Sequence, residues 1–203
     1  MKRILVLSLA LCSVGAFAQT AFWNGDTTGD PTMARPLSLT TMSGTTATPY
    51  EATPFWVTVS GEYVFEGDGQ AANGLTHTDT FILVYSGAFN PATPLVNLIA
   101  GDDDFTGAFT LLSGNGDAGF RSSRIALGDS SNFGGAGTGL NLTANNQYYA
   151  VMLGFANADF GTYRAAIGGG QGNVNLGVVP EPATMAALGL GVAALLRRRR
   201  KSA

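Results

Sequence analysis

Residues 55–66 read Phe-Trp-Val-Thr-Val-Ser-Gly-Glu-Tyr-Val-Phe-Glu. Phe55, Val57 and Val59 alternate with Trp56, Thr58 and Ser60, Gly61 interrupts, and a second stretch follows over 62–66. Successive side chains of an extended chain point to opposite faces, so the pattern predicts a strand, a tight turn and a second strand. Downstream, residues 79–86 are apolar at both parities through Phe81, Ile82, Leu83, Val84 and Tyr85, as a central strand covered on both faces requires. Further short strands are predicted over 95–100, 121–127, 140–142, 147–155 and 161–167. The Gly, Asn and Asp clusters between them suit turns. About eight short strands with regular punctuation and no amphipathic helix predict an all-β fold: an antiparallel β-sandwich, jelly-roll or immunoglobulin-like.

Composition agrees. The 203 residues are 45% hydrophobic and only 12% charged, with 28 Gly, 8 Pro, one Cys and one His. Charge is too low for a disordered polyelectrolyte, and one Cys makes neither a disulfide framework nor a cysteine-based zinc site. The net charge of −3 conceals three unequal parts. Residues 1–18 carry +2, residues 19–179 carry −9 from four Arg and thirteen acids, and residues 180–203 carry +4. An acidic middle without interleaved basic and aromatic residues argues against nucleic acid as a partner.

At the N-terminus, Lys2 and Arg3 precede an apolar run that ends at Ala16, Phe17, Ala18. Small residues at Ala16 and Ala18 suit signal peptidase cutting before Gln19, so residues 1–18 are expected to be a signal peptide, helical in the translocation machinery. Cys12 would leave with the signal, and the mature chain would fold without disulfides.

At the C-terminus, Val178, Val179, Pro180, Glu181 and Pro182 lead into residues 183–196, fourteen residues without charge. Arg197, Arg198, Arg199, Arg200 and Lys201 follow directly. Fourteen helical residues span roughly 21 Å against a hydrocarbon core of ~30 Å, so alone the segment would be a marginal transmembrane helix, and it is expected to rely on its basic stop to hold the C-terminus in the cytoplasm. Pro-Glu-Pro, an apolar helix and a terminal Arg cluster, in that order, resemble the PEP-CTERM sorting signal over residues 178–203. The resemblance implies recognition of Pro180, Glu181 and Pro182 by an exosortase, a membrane-embedded transpeptidase-like enzyme, during export to the cell surface or extracellular matrix. The plainer alternative is a C-terminal anchor in which the prolines only start a helix.

Between the signals, one domain is expected. Residues 19–54, rich in Thr, Gly and Pro, are predicted to be a loosely ordered lead-in with a possible strand at 37–42, residues 55–167 the sandwich, and residues 168–179 a Gly-rich linker that lets the domain stand off the membrane. Residues 79–86 followed by Phe89, Asn90, Pro91, Leu95, Asn97, Gly101, Asp102 and Asp103, then Ser123-Arg124-Ile125, Tyr148-Tyr149 and Gly161-Thr162-Tyr163, resemble bacterial pre-peptidase C-terminal-type sandwich modules over about residues 55–168. The resemblance implies an accessory, non-catalytic module.

The densest chemical feature is Asp102-Asp103-Asp104. Three adjacent carboxylates repel one another unless water or a cation screens them. Calcium takes six to eight oxygens, and alternate residues of an extended chain share a face, so Asp102 and Asp104 are the candidate pair, with Asp79 or Asp117 in support. The alternative is a solvated acidic turn. His77, the one histidine, is expected in an exposed loop, and Ser86, Ser113 and Ser122 lie in no nucleophile elbow. No catalytic residue is assigned. Trp23, Trp56, Tyr148, Tyr149 and Tyr163 either pack the core or form a sugar-stacking platform. The sequence thus predicts an exported, non-catalytic surface or matrix protein, membrane-anchored by its tail until exosortase acts, with no obligatory cofactor. The alternative is a secreted polysaccharide-binding module, with or without calcium, and a hydrolase is the third choice.

Overall fold

The computed structural model describes residues 18–116, 121–129, 133 and 139–180. Its strands are β1 (Ala21–Asp26), β2 (Thr32–Met33), β3 (Thr48–Val57), β4 (Gly61–Asp68), β5 (Thr80–Ser86), β6 (Leu98–Asp102), β7 (Ser122–Ile125), β8 (Leu140–Leu142), β9 (Tyr148–Gly154), β10 (Thr162–Gly168) and β11 (Val174–Leu176). Every pairing is antiparallel. One sheet runs β1-β10-β4-β7 with β8 also on β4, and the other runs β11-β3-β9-β5-β6 with β2 also on β3.

The alternation at 55–66 builds β3 and β4, but these two strands fall in different sheets. Residues 58–60 therefore carry the chain across the sandwich. Phe55 and Val57 on β3 and Tyr63 and Phe65 on β4 project into one shared core, where they meet Ile82, Val84, Met152, Tyr163 and Ile167. Burying a large apolar side chain contributes about 1.5–3 kcal/mol, so two facing rows of this kind hold the sheets together without a staple. The sheets approach closely at Gly67, where a Cβ would lie 2.5 Å from Met152 Cε.

The doubly apolar strand is explained by what lies outside it. Ile82 and Val84 of β5 face the inter-sheet core, while Phe81, Leu83 and Tyr85 face outward into a second cluster with Met33, Val151 and Leu153. Leu39, Phe89, Leu95 and Phe133 from connecting segments cover that cluster. On the opposite outer face, Phe105, Phe109 and Leu112 lie over Ala166. Glu66 fastens this flap: fully buried, its carboxylate accepts bonds from the Thr110 N–H (2.6 Å) and Oγ1 (2.8 Å) and from the Leu111 (2.9 Å) and Leu112 (2.8 Å) N–H groups.

Three expectations change. Residues 19–54 are not a loose lead-in, since they supply β1, β2 and most of β3, and the segment 37–42 is a turn closed by a bridge between Pro36 and Met42. Residues 168–179 are not a free linker, since they contain β11. Both segments look weak in sequence because their strands are short or Gly-flanked, and an edge strand borrows its order from the strand beside it. Among the described residues no helix is long and apolar enough to cross a membrane. The expected signal helix and C-terminal helix fall in 1–17 and 181–203, outside the described residues.

Candidate functional site

β5 and β6 are antiparallel neighbours with Ile82 opposite Asp102, so the residue before β5 and those after β6 come to one corner. There one carboxylate oxygen from each of Asp79, Asp103 and Asp104 lies within 4.8 Å of the other two. Phe155, just past β9, forms the remaining wall of the shallow pocket they line, and its N–H bonds to the Asp79 carbonyl at 3.2 Å. Behind the wall stands Arg35, 3% exposed, its guanidinium 4.5 Å from the Phe81 ring centroid and 4.2 Å from that of Phe155. The Oδ1 atoms of Asp79 and Asp103 are buried without a hydrogen-bond partner.

Electrostatics follow from that geometry. Burial pushes the Asp79 carboxyl up to about 7, and Asp159 and Asp104 push it in the same direction. Asp103 is likewise raised to about 7, by burial first and then by Asp104 and Asp79, while Arg35 opposes the rise in both. Burial also raises Asp104. Such a corner either holds protons or welcomes a cation or a hydroxyl-rich ligand.

The carboxylates that converge differ from the pair that alternation selects. β6 extends through Asp102, which is fully buried and accepts the Arg124 N–H at 2.7 Å, so its side chain is spent inside the fold. Past the strand end the face rule lapses, and Asp103 joins Asp104 and Asp79. Asp117 lies outside the described residues. His77 is not exposed: it is 1% accessible, with both ring nitrogens lacking a partner, and burial lowers it to about 4. Ser122 is buried, and the Ser113 hydroxyl accepts from Arg164. The five aromatics form no common platform, because Tyr148 and Tyr163 are core residues and Trp23 packs against the same core. Phe155, 40% exposed at the acidic pocket, is the aromatic that composition did not single out. Arg35 and Phe155 carry no signal in the sequence beyond their residue type.

A second functional region is the root of the C-terminal tail. β11 pairs with β3, Val174 opposite Val57 and Leu176 opposite Phe55. The Val174 N–H donates to the Gln19 carbonyl at 2.9 Å, and the Gln19 N–H donates to Asn173 Oδ1 at 3.1 Å. Beyond the strand, the Gly177 N–H bonds the Pro54 carbonyl at 2.7 Å and the Val179 N–H bonds Gln147 Oε1 at 2.8 Å. Gln147 in turn donates through Nε2 to the Phe55 carbonyl at 3.1 Å. The chain is thus held to the sandwich up to the residue before Pro180.

Residues 178–201 match the family model of the PEP-CTERM protein-sorting motif. The chain carries a PEP-CTERM sorting signal. It is accordingly an exported protein and a substrate directed to exosortase. The PEP-CTERM match begins at Val178, inside the segment that the sandwich holds, while Glu181, Pro182 and Arg197 to Lys201 lie outside the described residues, as does Ala16. Ala18 and Gln19 are exposed, at the side of the sandwich where the PEP-CTERM tail leaves. A comparison of the chain with curated proteins gives no match.

Proposed function

We propose that this chain is a non-catalytic protein of the cell surface or extracellular matrix, held in the membrane by its C-terminal helix until exosortase acts near Pro180, Glu181 and Pro182. The PEP-CTERM match over 178–201 carries this reading. The basic residues Arg197, Arg198, Arg199, Arg200 and Lys201 keep the C-terminus in the cytoplasm and place the sandwich outside. Signal peptidase cutting between Ala18 and Gln19 leaves the chain of β1 free to begin the mature domain. Two features support a non-catalytic role: His77 is sealed in the interior with its pKa held near 4, and Ser122 is buried. Replacing Pro180, Glu181 and Pro182 with alanine tests the reading. Processing stops, and full-length protein accumulates in membranes of a host that has exosortase; unchanged processing contradicts it.

The acidic corner favours a second reading, a polysaccharide-binding module dependent on calcium. Asp79, Asp103 and Asp104 supply acceptors for a cation or for sugar hydroxyls, and Phe155 offers a ring at the same pocket. Retention of the folded protein on immobilised glycan, lost on chelation, distinguishes this reading from a purely structural matrix role.

A further inference from the structure

At one side of the sandwich the edge strands β1 and β11 lie beside each other, with the Val174 N–H bonded to the Gln19 carbonyl between them. The groove between them is lined by Gln19, Thr20, Ala21, Phe22, Val174 and Leu176 together with Asn175, and none of these carries a charge. Phe22 is 59% exposed and Leu176 43%, and Val178, just beyond β11, is 70% exposed. Phe22 and Leu176 thus present two large apolar side chains to solvent at one groove.

Chain length restricts which partner. Among the described residues the last bond from the tail to the sandwich is at Val179, and the uncharged run begins at Ala183. Four residues reach at most about 14 Å when fully extended. The headgroup layer on each side of the hydrocarbon core is roughly 5–8 Å thick, so about half of that reach is consumed in crossing it. A tail rooted by β11, with Gly177 and Val179 bonded down, has no slack to hold the domain away. The sandwich, at −9 over residues 19–179, is repelled by anionic lipid wherever its acids face the bilayer, and the uncharged edge is where that repulsion is least.

We propose that in the chain before tail removal the β1–β11 edge lies on the lipid surface, with Phe22, Leu176 and Val178 entering the headgroup layer. This rests on the reading of residues 183–196 as a membrane segment. The sandwich is then a membrane-apposed domain until exosortase frees it, and the enzyme meets its motif beside this edge.

The test uses the chain from Gln19 to Ala203 reconstituted in phosphatidylcholine vesicles, with single cysteines at 22, 176 or 178 carrying an environment-sensitive fluorophore. Cys12 is absent from this chain, so each label is unique. Leu127, 60% exposed beside β7 at the far edge of the same sheet as β1, provides the reference position. Labels at 22, 176 and 178 are expected to be quenched by headgroup-level spin-labelled lipid about two-fold or more over the label at 127, as for side chains buried ~5–10 Å into the interface. Equal quenching at all four positions, in protein that floats with the vesicles, overturns the proposal. Protein that does not float shows instead that the membrane reading of the tail has failed. Emission shifts at 22 and 176 that follow protein concentration without lipid quenching identify a second copy as the occupant and also overturn it. Circular dichroism of each labelled variant verifies the fold.

Discussion

Glu66, fully buried, and the half-buried corner of Asp79, Asp103 and Asp104 are both carboxylate sites, yet they are finished in opposite ways. Glu66 is fully buried and accepts four bonds from the flap it closes. Asp79 and Asp103 keep buried oxygens with no donor, and their closest compensating charge is the buried Arg35. A carboxylate whose acceptors are filled by backbone N–H groups is a structural part; carboxylates whose acceptors converge on one another repel unless a proton or a cation screens them.

The comparison breaks most visibly at Glu66. Glu66→Ala leaves the Thr110, Leu111 and Leu112 donors without their acceptor beneath a cluster of Phe105, Phe109 and Leu112. The expected cost is about 3–5 kcal/mol, since each buried N–H left without an acceptor costs about 1–3 kcal/mol, read as a shift of the urea midpoint. A loss below about 1 kcal/mol contradicts the structural role.

At the acidic corner the effects are smaller and of the opposite sign. Millimolar calcium is expected to raise the melting temperature by about 2–4 °C for each 1 kcal/mol of binding linkage, and a chelator to reverse it. Asp103→Asn abolishes this response if the corner holds the ion; an undiminished response in the variant places calcium elsewhere.

Without calcium, Asp103→Asn sharpens the contrast through pH. The folded values near 7 for Asp79 and Asp103 lie above the ordinary 3.8, so the folded protein holds protons that the unfolded chain releases. That contribution is present in full below about pH 4 and is lost as pH rises through 7. Asp103→Asn therefore stabilises the protein at pH 8 by about 1 kcal/mol, allowing for partial exposure, and the gain shrinks towards pH 5. A gain independent of pH removes the repulsion between these groups from the explanation.

His77 gives the opposite slope, felt only in acid. Its folded value near 4 lies below the ordinary 6.5, so its contribution is complete above pH 6.5 and lost as pH falls towards 4. His77→Leu flattens the stability profile between pH 4 and 6.5; an unaltered profile means the imidazole titrates freely.

These sites were legible in the sequence to different degrees. β5, β9 and β10 announce themselves because apolar side chains fill both parities or alternate cleanly. β1, β2 and β11 do not, because they are edge strands ordered by their neighbours: Val174-Asn175-Leu176 becomes a strand through β3 and Gln19, and nothing in three residues between glycine-rich stretches shows that. The Asp run leads to the corner where Asp79, Asp103 and Asp104 converge, but face alternation selects Asp102, which lies at the end of β6 and is buried. Asp79 met Asp103 and Asp104 through strand pairing, and Arg35 reached them from a segment expected to be loose. His77 lies in a loop as expected but is buried there, because the sequence cannot show that Gly69 and Gly161 pack against it. The sorting signal, by contrast, is read by an enzyme as a linear motif, so a linear reading found it.

The mass of the mature protein tests the central claim most directly. The intact gene is expressed in hosts with and without exosortase, and the product is weighed and fractionated. Loss of the residues beyond the Pro180-Glu181-Pro182 region, with release from the membrane only where exosortase is present, is the predicted result. A chain that keeps its whole tail in the membrane in both hosts contradicts the account and leaves a simple C-terminally anchored surface domain.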